Sequence, residues 1–240
     1  MNGFLNREDA GRRLAAELLP YAVERPIVLG LPRGGVPVAD PVARALRAPL
    51  DVWVVRKVGV PWHPELGLGA VAEGGYLYLN DNLLRQLGLS RGDLEQVVQA
   101  KQGEVEERVR LFRGCRPAPV LRDRSVIVVD DGIATGGTAR AALRSIRAQG
   151  PRAILLAVPV AAPQALAELV GEVDHVVCLM QPVDLHAIAL WYADFEQVAD
   201  GEVLRVLERA RREHERTAAM DPRHAAPRVK EQAIEKGDRQ

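Results

Sequence analysis

The segment Ser125 to Leu143, SVIVVDDGIATGGTARAAL, constrains the fold of this chain more than any other. Val126 to Val129 is an unbroken β-branched run, the mark of a strand buried on both faces. It ends in Asp130 and Asp131, breaks into a Gly/Thr turn and passes into an Ala-rich helix that reaches about Gln149. Strand, turn and helix in that order form half of a βαβ unit, and such units build parallel sheets through right-handed crossovers. The same alternation recurs elsewhere. Pro26 to Gly30 reads as a strand, Leu31-Pro32-Arg33-Gly34-Gly35 as a glycine turn, and Val36 to Leu46 has helical spacing. Further strands are expected at Asp51 to Arg56, Ala153 to Val158 and His175 to Leu179, with a helix near Pro163 to Val170. The expected class is α/β, a mainly parallel twisted sheet flanked by helices. With hydrophobic residues at 48% and aromatics at only 4%, its core must be Ala, Val, Leu and Ile.

Around this frame the chain opens with an amphipathic helix, capped by Asn6 with Asp9 and striped by Leu14, Leu18 and Leu19 up to Pro20. Lys57 to Gly75 is Gly- and Pro-rich with little regular pattern, long enough to predict a functional loop. Tyr76 to Leu79 reads as a strand, and Ser90 with Asp93 caps a long charged helix to about Phe112. From about Arg211 the sequence turns to mixed charge with few apolar residues, which predicts a disordered tail or a frayed helical extension. The expected division is one domain over residues 1–212 and a charged tail over 213–240.

Charge and cysteine usage close off several function classes. Lys plus Arg and Asp plus Glu are each 32, so no global field draws the chain to nucleic acid or to an anionic membrane. Any anion site must be local. Cys115 and Cys178 form no CxxC pair, which indicates neither zinc nor a disulfide framework, and both are read as buried or inert thiols of a reducing cytosol. His175 and His186 lack metal-ligand spacing. No apolar run has the length of a membrane span, and the start lacks a signal-peptide core, so a cytoplasmic protein is expected.

Open parallel sheets bind ligands beyond the C-terminal ends of their strands, and Asp130-Asp131-Gly132-Ile133-Ala134-Thr135-Gly136-Gly137-Thr138 lies at such an end. Its glycines admit backbone N–H groups to a phosphate, its threonines add hydroxyl donors, and the following helix dipole favours the anion. Two carboxylates would repel that phosphate if aimed at it. They suit vicinal hydroxyls, whose hydrogen bonds they accept, so the ligand is read as a phosphorylated sugar. No GxxxxGK[ST] P-loop and no Rossmann fingerprint is present.

VIVVDDGIATGGTARAAL closely resembles the motif with which type I phosphoribosyltransferases bind phosphoribosyl pyrophosphate (PRPP). Gly30 to Gly35 resembles that family's pyrophosphate loop, with Arg33, Gly34 and Gly35 facing the leaving group. Arg56-Lys57 stands where the family often carries a basic residue near pyrophosphate, and Lys57 to Gly75 resembles its mobile catalytic loop. LPRGGVPVA, VVRKVG, GAVAEGG, DDGIATGGT and the late WYADF together are most similar to a set of bacterial phosphoribosyltransferases of unassigned acceptor, over about Asn6 to Leu207.

The resemblance implies transfer of the 5-phosphoribosyl group from PRPP to a nitrogen acceptor such as a nucleobase, with Mg²⁺ as cofactor. It assigns PRPP binding to Asp130 through Thr138, Mg²⁺ directly or indirectly to Asp130 and Asp131, and catalytic roles to Arg33, Lys57 and Glu73. A small hood is expected at about residues 180–198 together with the N-terminal segment, where Trp191 and Tyr192 would stack on the base. Leu185 and Ala189 depart from the aromatic residue and glycine expected there in close relatives. Homo-oligomerisation stays open. Bland readings stand beside several of these roles: Arg33 as a surface arginine, Lys57 as a lysine snorkelling from a strand end, Glu73 as a solvated loop glutamate, and Trp191, Tyr192 and Phe195 as a packed lid. A PRPP- or nucleotide-sensing regulator without turnover is the rival function. Where 6-oxopurine phosphoribosyltransferases usually carry an aspartate in this loop, this chain has Ala134, just before Thr135, which can neither accept nor donate a proton, and ATGGT instead resembles the loop of adenine phosphoribosyltransferases. With Glu73 as a substitute carboxylate, this predicts adenine or another amino-substituted heterocycle ahead of hypoxanthine and guanine.

Overall fold

A computed structural model describes residues 3–60 and 62–220. Helix α1 (Arg7–Leu18) starts where Asn6 accepts a hydrogen bond from the Asp9 amide at 2.9 Å, and it buries Leu14 and Leu18 while Leu19 is exposed. Strand β1 (Ile27–Gly30) and helix α2 (Gly35–Leu46) follow, then β2 (Leu50–Val52). A second group comprises β3 (Val55–Val60), β4 (His63–Ala72) and β5 (Tyr76–Leu79), then the short α3 (Asp81–Gln86) and the long α4 (Glu95–Arg113). The remaining elements are β6 (Ser125–Val129), α5 (Gly137–Arg147), β7 (Ala153–Val160), α6 (Pro163–Leu169), β8 (His175–Met180) and α7 (Asp200–Met220).

Strands β2-β1-β6-β7-β8 form one five-stranded sheet in which every pairing is parallel. Its central strands are buried on both faces, as the β-branched run demanded. One face packs against α1 and α2 through Leu14, Leu18, Val38 and Val42, and the other against α5 through Leu143 and Ile146. The register sets Gly30 opposite Val129, so the loops that leave β1 and β6 start side by side.

Two expectations are corrected here. The strand expected over Asp51 to Arg56 divides in two. Trp53 still donates its amide to Gly30 O at 3.2 Å, but Val54 O already accepts from Glu73 N at 3.1 Å, so the chain crosses between sheets at this point. The buried Trp53 ring locks the crossing by donating Nε1–H to Ser145 Oγ at 2.8 Å. The loop expected over Lys57 to Gly75 is instead mostly the β3–β4 hairpin of an antiparallel sheet, ordered β3-β4-β5. Val58, Val60, Leu68 and Val71 give it an apolar face against α4, a pattern that its many glycines and prolines obscured.

Ser90 and Asp93 make the expected reciprocal cap, with Ser90 N donating to Asp93 Oδ2 at 2.8 Å and Asp93 N to Ser90 Oγ at 3.4 Å, ahead of α4. Helix α7 had no forecast before about Arg211, from where a disordered tail or a frayed helical extension is expected. It packs on α2 and α4, burying Val203, Leu207 and Ala210, and continues past Arg212 to Met220. Residues 221–240 of the expected tail lie outside the described residues. Cys115 is exposed rather than buried and Cys178 is half-buried, its thiol pushed up to about 11 by burial. Among the described residues no helix is long and apolar enough to cross a membrane.

Candidate functional site

The loop after β6 is pinned before it reaches α5. Ile133 is buried, donates its amide to Val160 O at 2.9 Å and accepts from Ala162 N at 2.9 Å. Its N–H is therefore spent on the sheet, which corrects its assignment as a phosphate donor: Ile133 is the anchor of the loop. Beyond it, Ala134, Thr135 and Gly137 are exposed around Gly136, whose φ of 72° is costly for any residue with a β-carbon. That turn aims the first amides of α5, which have no intrahelical acceptors, outward. They border a concavity of about 180 Å³ lined by Asp130, Gly132 to Ala139 and Ile188, room for a phosphate group rather than for a whole nucleotide.

The loop after β1 lies against this one. Leu31 N donates to Val129 O at 2.9 Å and Gly35 N to Leu31 O at 3.0 Å, bringing α2 to its start beside the acidic pair. A β-carbon on Gly34 would collide with the Asp131 carboxylate, so only glycine allows this approach. Arg33 is about one-third exposed and 3.8 Å from Asp200 Oδ1, while Asp200 Oδ2 accepts from Arg108 at 2.6 Å. Strand alternation sends Arg56 toward Glu104 of α4, at 3.4 Å, and Lys57 to the other face. There the Lys57 ammonium stands over the start of α5, 3.6 Å from where a β-carbon on Gly137 would be. Arg33, Gly34, Gly35, Lys57, Asp130, Asp131 and the turn to Thr138 thus come together at one end of the sheet.

Glu73 does not join them, which corrects its expected catalytic role. It is buried beside Arg113, which donates to its Oε2 at 2.7 Å and also reaches Asp51 at 3.3 Å and Val52 O at 3.0 Å. Neighbouring Gly74 adjoins Gln149, beyond the C-terminal end of α5, whereas the Gly136-Gly137 turn is at the N-terminal end. Burial pushes the Glu73 carboxyl up, and the Arg113 guanidinium opposes the rise.

The segment after β8 folds over the site and is fastened to the N-terminus by three backbone bonds: Phe4 N to Trp191 O, Ala193 N to Phe4 O, and Asp194 N to Leu5 O. Ile188 of this segment covers Gly132. Tyr192 is buried between Phe4 and Phe195, with ring centroids 5.3 and 4.8 Å away, and donates its hydroxyl to Asp131 O at 2.6 Å. It is a packed strut, not an open stacking platform, and the base-stacking expectation is corrected for Tyr192; Trp191 is half-buried in the same cluster.

Sequence reasoning missed Arg7. Its Nε donates to Asp131 Oδ2 at 2.9 Å, its Nη1 to Glu196 O at 2.8 Å, and its guanidinium lies 3.7 Å from the Phe195 ring centre. The aromatic cluster in WYADF was a signal for its partners, but nothing in the local pattern of α1 sets Arg7 apart from Arg12 or Arg13. Burial raises the carboxyls of both Asp130 and Asp131. Their mutual repulsion adds to the rise at Asp130, and Arg7 counters it at Asp131.

Among the described residues no three His, Cys, Asp or Glu side chains converge as a cation cage would require. The donor set therefore fits Mg²⁺ carried mainly by substrate phosphates and water, with one or two carboxylates at most.

The phosphoribosyl transferase domain family matches residues 4–185. A curated Mycobacterium tuberculosis protein, named provisionally as a phosphoribosyl transferase, is 44% identical over 221 residues, covering 92% of this chain and 50% of its own length. The chain thus spans about half the length of that relative. A uracil phosphoribosyltransferase of Desulfitobacterium hafniense is 28% identical over 70% of each chain. A crystal structure from Thermus thermophilus superposes with a TM-score of 0.77 at 44% identity, covering 85% of this chain and 97% of the other. Two glycine turns meeting at an acidic pair, on a parallel sheet of this order, place the chain in the type I phosphoribosyltransferase family.

Proposed function

We propose that the chain transfers the 5-phosphoribosyl group of PRPP to a nitrogen heterocycle and releases pyrophosphate. The observation that carries this reading is the contact between Gly34 and Asp131, which joins two helix N-termini, at α2 and α5, across one acidic pair. Each helix start favours an anion. A ligand with phosphates at both ends and a diol between them matches that order. The turn Ala134 to Thr138 holds the 5′-phosphate, with Lys57 here rather than beside the pyrophosphate where the resemblance put it; Asp130 and Asp131 accept from the ribose hydroxyls, and Arg33 with the Gly34 amide receives the pyrophosphate.

In the reaction the C1–oxygen bond to pyrophosphate breaks with its electron pair leaving on the pyrophosphate. The oxocarbenium-like ribose is then captured by the acceptor nitrogen, which gives up its proton. Fixed cationic and N–H groups at the departing oxygens stabilise the charge as it develops. Mg²⁺, when bound with PRPP, adds Lewis-acid neutralisation of those same oxygens. Ile188 and the Tyr192 cluster cover the ribose side and keep water away from C1.

With Glu73 buried elsewhere, the acceptor preference rests on Ala134 alone, which offers no carboxylate to a purine N7 proton. Adenine or another amino-substituted heterocycle is expected to outrun hypoxanthine and guanine. Pyrophosphate release from PRPP and Mg²⁺ with adenine, hypoxanthine, guanine, uracil and orotate tests both levels. Release with none of them would favour a PRPP-binding regulator, and efficient turnover of hypoxanthine or guanine would refute the acceptor preference.

A further inference from the structure

Asp131 is held on three sides. Arg7 occupies its Oδ2 at 2.9 Å, Tyr192 donates to its carbonyl at 2.6 Å, and Gly34 leaves no space behind the carboxylate. Among the described residues no side chain other than Arg7 donates to its carboxylate. Arg7 is itself immobilised, since it stacks on Phe195, donates to Glu196 O and is mostly buried. A guanidinium locked this way orients a carboxylate more sharply than a mobile ammonium could, because its donors form a planar fork.

We propose that Arg7 is a positioning residue for the ribose diol: it acts through Asp131, holding one carboxylate oxygen so that the other is left to accept from the sugar hydroxyls. The inference rests on the PRPP reading and extends it, because it makes the N-terminal segment and the hood part of the sugar site. In this proposal Arg7 acts on the sugar only through Asp131. Its effect must therefore appear in ligands that carry the ribose and vanish in pyrophosphate, which is received by the α2 loop.

Calorimetry with PRPP, ribose 5-phosphate and pyrophosphate, each with Mg²⁺, separates these outcomes. Arg7→Met should weaken PRPP and ribose 5-phosphate by roughly ten- to a hundredfold, the range for losing a charged hydrogen bond that orders a binding group. Pyrophosphate affinity should not change. Arg7→Lys, which keeps the charge but loses the fork and the stack, should recover part of the loss. In an Asp131→Asn background Arg7→Met should add little, since the two act as one unit. Should Arg7→Met fail to fold, Arg7→Lys and Phe195→Leu carry the same contrast between ribose ligands and pyrophosphate. Sugar affinity equal to or above the parent's in the Arg7 variants would overturn the proposal, as would a parallel loss of pyrophosphate. A parent that binds neither PRPP nor ribose 5-phosphate would refute the PRPP reading itself, before any variant is made.

Discussion

Two arginines are gripped by carboxylates inside this protein, and they have opposite surroundings. Arg113 lies between the two sheets, with donors directed to Glu73, Asp51 and Val52 O, and its side chain is 2% exposed. Every group in that cluster has a partner. Arg7 lies at the C-terminal end of the parallel sheet, where among the described residues no other side chain donates to the Asp131 carboxylate and the adjoining Asp130 lines a concavity. Burial and charge are common to both clusters. What separates them is unspent hydrogen-bonding capacity and a place at strand ends, where helix N-termini converge. A buried ion pair identifies a site only when something in it is left to bind.

The strongest test of that distinction is Arg113→Met. It leaves the buried Glu73 carboxylate and the half-buried Asp51 carboxylate without their shared cation and should cost about 3–5 kcal/mol in denaturant unfolding. PRPP affinity of the folded fraction should match the parent's. A large affinity loss with normal stability would erase the difference between the clusters.

Changing Asp130 and Asp131 together to Asn should do the reverse. PRPP binding under matched Mg²⁺ should weaken at least about a hundredfold, roughly 3 kcal/mol, from the lost diol acceptors. Melting temperature should change little, because the relief of repulsion between two carboxylates opposes the weakening of the Arg7 pair. Parent-like affinity in calorimetry would show that the ribose lies elsewhere.

The smallest effect is expected from Glu73→Gln, which keeps an acceptor for Arg113 and should cost about 1 kcal/mol with no loss of turnover. Its value is in the pH dependence. Burial raises the Glu73 carboxyl above its ordinary value, so the folded state holds a proton that the unfolded state has already released. Stability from this group is complete below the ordinary carboxylate range and is lost as pH rises through the raised value. Melting curves across acidic pH should therefore slope less in Glu73→Gln. An unchanged slope would mean that Arg113 fully offsets the burial.

Much of the scaffold was legible because its signals are local. Val126 to Val129 followed by Gly136-Gly137 specified a buried strand and a glycine turn into a helix, Asn6 with Asp9 and Ser90 with Asp93 announced helix starts, and LPRGG marked the second turn. Local pattern failed where two sheets compete for one stretch of chain. Asp51 to Arg56 is uniformly strand-like, so nothing in it announces that Val54 changes partners. Glu73 looked like a loop carboxylate because its partner Arg113 is 40 residues away.

By itself the sequence determined the parallel α/β frame, the acidic pair and the glycines that let two turns approach each other. These follow from steric and hydrogen-bonding rules that act within a few residues. Tertiary structure alone decided which charged side chains serve the site. Lys57 reaches Gly137 through strand alternation in a sheet that the sequence did not announce, Glu73 is carried to the far end of α5, and Arg7 meets Asp131 across 124 positions. A charged side chain is long and can satisfy itself in water, so its role is set by what the fold brings within hydrogen-bonding distance.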